Sequence, residues 1–107
     1  MATDIPVTKF GAAKQWIAAT PSMEYTNDGE TVLEVDPAGA DVTATHVEQV
    51  QCPWGHALTN AVDVAPAAGI TQIRRGHQIV RFNDPRHKAL ITISPTAGVL
   101  VAAVSYA

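Results

Sequence analysis

The residues best equipped for chemistry lie together at Cys52, Pro53, Trp54, Gly55 and His56, where a thiol and an imidazole stand four positions apart. Both groups ligate zinc, but a closed structural zinc site takes four ligands, and His46, His77 and His87 lie at spacings that fit no zinc pattern. As a nucleophile and base, the pair shares one loop, so the side chains point in unrelated directions, and no third group orients the base. Cys52 is therefore read as a small buried thiol beside a histidine bonded to backbone. The chain also lacks a His-x-His pair, a phosphate-binding glycine loop, a serine elbow and two carboxylates in apolar surroundings. The sequence predicts no catalytic residue, no metal ligand and no cofactor, hence no enzyme.

A second group of interest is basic. Arg74, Arg75, Arg81, Arg86 and Lys88 cluster in the second half, and a partner interface is expected there. Residues 1–63 hold nine acidic side chains and two basic ones, a net of −7, whereas residues 64–107 carry a net of +4. Blocks of opposite sign steer one copy onto another, or else meet inside one fold. Nucleic acid is not an expected partner, because five basic residues on a chain with pI near 5.7 leave a weak electrostatic footprint. Trp16 and Trp54 could stack a sugar or a base, but both stand among apolar neighbours and read as core anchors.

Charged residues make up 16% of the 107 residues, against about 25% in an ordinary soluble domain. The hydrophobic fraction of 47% is largely alanine and valine. So little charge leaves Ala, Thr and Val either exposed or buried against other chains, and self-association is the expectation. A single cysteine excludes an internal disulfide. Residues 1–10 lack the basic head and apolar run of a signal peptide, so secretion is not expected. No apolar run approaches the roughly 18 residues of a membrane helix, and no membrane partner is expected.

These side chains must be positioned by strands. From residue 70 onward, short apolar runs cut by turn residues predict an antiparallel meander of strands over 70–75, 78–82, 88–94 and 99–106. Gly76-His77 suits a two-residue hairpin. Residues 83–87 read as an exposed loop. Along 88–94, Ala89, Ile91 and Ile93 alternate with Leu90, Thr92 and Ser94, the period of a strand buried on one side. The strand at 99–106 is apolar on both faces and should be central or covered. Earlier, 31–35 and a return strand within 40–51, alternating Val42 and Ala44 against Thr43 and Thr45, predict a hairpin about the turn at 36–39, with room for a bend near His46. A short strand is expected at 60–64. Residues 10–19 carry Phe10, Ala13 and Ile17 on one helical face, although 16–20 reads equally as strand. Residues 1–9 have too little apolar content to fold back and read as an extended arm.

The predicted architecture is one all-β domain over residues 1–107, an antiparallel sandwich or jelly-roll-like barrel of about six to eight strands, with at most one short helix near the start. The expected function is that of a non-enzymatic structural protein, a small self-associating virion component such as a phage capsid decoration or cement protein, with further copies and a capsid shell as partners. Its place is then the virion, or the cytoplasm if the chain is not phage-encoded. The alternative is a β-sandwich binding module that recognises a glycan or peptide through loops 52–60 and 83–87.

Overall fold

The alternation of small apolar and hydroxyl residues resolves into strands, and in the computed structural model half of the chain is strand and almost none is helix. The structure describes residues 2–49, 60–75 and 82–107. Its strands are β1 (Thr3–Asp4), β2 (Val7–Lys9), β3 (Ile17–Ala18), β4 (Ser22–Thr26), β5 (Thr31–Asp36), β6 (Val42–His46), β7 (Ala61–Ala65), β8 (Thr71–Ile73), β9 (Lys88–Ser94) and β10 (Leu100–Ser105). They form two sheets. Sheet A runs β1-β4-β9-β6-β7 and sheet B runs β2-β10-β5-β8, with β3 also paired to β10. The pairs β1–β4 and β2–β10 are parallel and the others antiparallel. The all-β sandwich is thus observed, with more and shorter strands than the sequence indicates.

Connectivity differs from the expected meander. Strand β8 lies in sheet B, β9 in sheet A and β10 in sheet B. The pair at 31–46 is not a hairpin either, because β5 belongs to sheet B and β6 to sheet A. Among the described strands only β6 and β7 pair with their sequence neighbour. A period of two states which side chains are buried, but either sheet of a sandwich buries the same side chains, so the pattern cannot assign a strand to its sheet. The expected strand at 78–82 and the Gly76-His77 hairpin lie outside the described residues, apart from Phe82.

The first nine residues are also corrected from a free arm to part of both sheets. Strand β1 pairs with β4, β2 pairs with β10, and Ile5 between them is 1% exposed, its N–H donating to the Glu24 carbonyl at 2.7 Å. One large aliphatic side chain at the crossover anchors the segment despite its modest apolar content. Residues 10–16 form turn and extended chain instead of a helix, and Ile17–Ala18 is strand. Gly11 takes φ 96°, a left-handed conformation that interrupts a helix.

Between the sheets, Met23, Tyr25, Leu33, Val35, Val42, Ile91 and Val101 are fully buried. Strand β10 is central, flanked by β5 on one side and by β2 and β3 on the other. Its outward residues Ala102 and Val104 are buried as well, as two-sided apolar character requires. On β5, Glu34 faces the same side as Ala102, its cross-strand partner, and is 1% exposed. Lys14, reaching in from residues 10–16, donates to Glu34 Oε1 at 2.7 Å, while Oε2 has no hydrogen-bond partner among the described residues.

Candidate interaction surface

Three of the basic side chains, Arg75, Arg86 and Lys88, are held by acidic ones of the same chain. Arg75, just past β8, makes a two-point contact with Asp63 of β7 at 3.0 and 2.8 Å. Arg86 binds Glu24 at 2.7 Å and Asp84 at 2.8 Å, and Lys88 pairs with Asp4. Arg74 lies over the Tyr106 ring, 5.6 Å from its centroid. Arg81 lies outside the described residues. The four described residues do not share one edge: Asp63 is on β7 at one end of sheet A, whereas Asp4 and Glu24 are on β1 and β4 at the other. Arg86, with its side chain 62% exposed, contributes little to stability through its pairs.

Loop 83–87 is similarly occupied with its own chain. Asn27 donates to Asn83 Oδ1 and Asn83 returns a bond to the Asn27 carbonyl, both at 2.9 Å. The N–H groups of Arg86 and Lys88 donate to Asp84, which turns the loop back on itself. Behind it, Asp28 accepts from Ser105 Oγ at 2.6 Å and from Thr31 Oγ1 at 2.9 Å. Cys52, Trp54 and His56 lie outside the described residues, and Trp16 is half-buried. Among the described residues no group of three or more His, Cys, Asp or Glu side chains is placed to hold a metal ion.

His46, at the end of β6, is fully buried, with Nε2 2.7 Å from Tyr25 Oη and the ring against Phe82, 5.7 Å between centroids. Its Nδ1 has no hydrogen-bond partner among the described residues. Burial pushes the imidazole down to about 4; the negative charge of Asp63 pulls the other way and the positive charge of Arg75 adds to the fall. Burial also holds the Tyr25 phenol well above its ordinary range, so it stays neutral. With both side chains fully buried, the protonation of this pair bears on stability.

Among the described residues, the outer face of sheet A carries no charge across two of its rows. Cross-strand register places Val64, Thr43 and Ser94 in one row and Val62, Thr45, Thr92 and Ser22 in the next. Val62 is 60% and Val64 55% exposed, on the edge strand β7. The seven side chains of these rows carry no charge. The charges of this face sit at its far end, where Glu24 and Asp4 meet Arg86 and Lys88. Sequence reasoning missed the surface because it is assembled from β4, β6, β7 and β9. The available signal was Thr43-Ala44-Thr45 and Thr92-Ile93-Ser94, whose outward positions are all short hydroxyl residues. Compared with models of known families, with curated proteins and with solved structures, the chain matches none.

Proposed function

We propose that this protein is a non-enzymatic structural component that lays the outer face of sheet A against a larger protein assembly. The observation that carries the reading is the pair of uncharged rows ending in two exposed valines. Cores of protein interfaces are depleted in charge, and such a face is desolvated without stripping water from an ion. Internal pairing of Arg75, Arg86 and Lys88 supports the same choice, since these charges are already held within the chain. A phage capsid shell, coated or cemented by several copies, is the assembly that the chain's size and scarce charge favour; on this reading the protein belongs to the virion.

Sedimentation of the purified protein over a wide concentration series tests this. The wild type should associate, and Thr45→Lys, which sets an ammonium in the middle of the face, should weaken association by about tenfold or more without unfolding the protein. A wild type that stays monomeric at every concentration, or association indifferent to Thr45→Lys, would refute the proposal.

A further inference from the structure

Strand β7 is an edge of sheet A, bonded to β6 on one side only among the described strands. An edge strand offers its free N–H and C=O groups to another strand. Native edges are usually blunted, and β7 carries one such device, the charge of Asp63. That charge is neutralised: Arg75 grips both carboxylate oxygens from the other sheet, and both side chains are about three-quarters covered. The strand reads Ala61-Val62-Asp63-Val64-Ala65, the same in both directions. Two antiparallel copies related by a two-fold axis at Asp63 would therefore set Ala61 opposite Ala65, and Val62 opposite Val64, twice over.

We propose that β7 pairs with β7 of a second copy about a two-fold axis through Asp63, joining the two A sheets into one continuous antiparallel sheet. The inference rests on the assembly reading and names its first partner, another copy of this chain. An isologous contact needs a patch complementary to itself, and a palindromic strand with alternating exposed valines is one. On the outer face, the valines extend each uncharged row into the neighbouring copy. On the inner face, two Asp63 carboxylates would repel if bare, since like charges directly opposite destabilise a strand pair. With each held by its own Arg75, the axis carries two negative and two positive charges.

The register gives the test. With Cys52 replaced by serine throughout, chains bearing Val62→Cys are mixed with chains bearing Val64→Cys and oxidised. Directly opposed Cβ atoms lie about 5 Å apart and diagonal ones about 7–8 Å, so the mixture should yield a disulfide dimer at least about fivefold more readily than either variant alone. In parallel, Arg75→Gln should weaken the dimer by about tenfold, and Asp63→Asn added to it should restore association. Equal crosslinking of the single variants, or none in the mixture, overturns the edge pairing. If the wild type still associates and Thr45→Lys still disrupts it, the assembly reading stands without this contact. A monomeric wild type removes both.

Discussion

Acidification from pH 7 to pH 4 should lower the free energy of unfolding by up to about 3 kcal/mol through His46 alone. Folding holds the imidazole near 4 against about 6.5 in the unfolded chain. Between those values the unfolded chain takes up a proton that the folded one refuses. The stabilisation is complete above the unfolded value, drains away as pH falls from about 6.5 to about 4, and changes no further below that. The geometry explains the refusal: an imidazolium would have to donate from both nitrogens, and Nδ1 has no acceptor among the described residues. The ionisable groups that bear on it are Tyr25 from β4, Asp63 from β7 and Arg75 beyond β8. Carboxylates act in a lower window. Although burial works against it, hydrogen bonds from Ser105, Glu30 and Thr31 hold the Asp28 carboxyl below its ordinary value of 3.8. Denaturant titrations at pH 7 and pH 4 should therefore diverge less for His46→Gln than for the wild type. Equal pH dependence in the two proteins would show that His46 is not the sensor.

Lys14→Met should cost about 2 kcal/mol, a large effect for a side chain that is 41% exposed. The cost falls on its partner. Glu34 is buried on the outer side of sheet B, one oxygen already without a hydrogen bond, and loss of Lys14 leaves the carboxylate with no cation beside it among the described residues. The exposure of Lys14 places the expected loss below the 3–5 kcal/mol typical of a fully buried pair. Adding Glu34→Leu to Lys14→Met removes the stranded charge and should recover most of the stability, since an apolar replacement of a buried ion pair is often neutral or better. Denaturant unfolding of the three variants measures this, and a double variant as unstable as Lys14→Met alone would contradict it.

Strand periodicity was legible from side chains alone. Ala89, Ile91 and Ile93 are buried as their alternation indicates, Val42 and Ala44 likewise, and the two-sided apolar character of β10 correctly marked a central strand. The strand expected at 60–64 is displaced by one residue. Partnership was not legible, because it depends on contacts distant in the chain: Leu33 pairs with both Ala103 and Ile73. Glu34 shows the same gap at the scale of one side chain. Within Val32-Leu33-Glu34-Val35 it reads as the solvent-facing member of a strand, yet residues 10–16 bring Lys14 to it and the carboxylate is buried. The division of charge was visible, and Asp4, Glu24 and Asp63 do meet Lys88, Arg86 and Arg75, but which acid meets which base follows from sheet order. The uncharged face was least legible, since each strand contributes only one or two of its residues.

Hydroxyl-radical footprinting of the protein at low and high concentration tests the central claim most directly. Val62 and Val64 should lose reactivity in the associated state, while Phe10, 71% exposed and stacked on Tyr106 beside sheet B, should label equally in both. Protection of Phe10 with Val62 and Val64 still fully reactive would place the contact on sheet B and contradict the account.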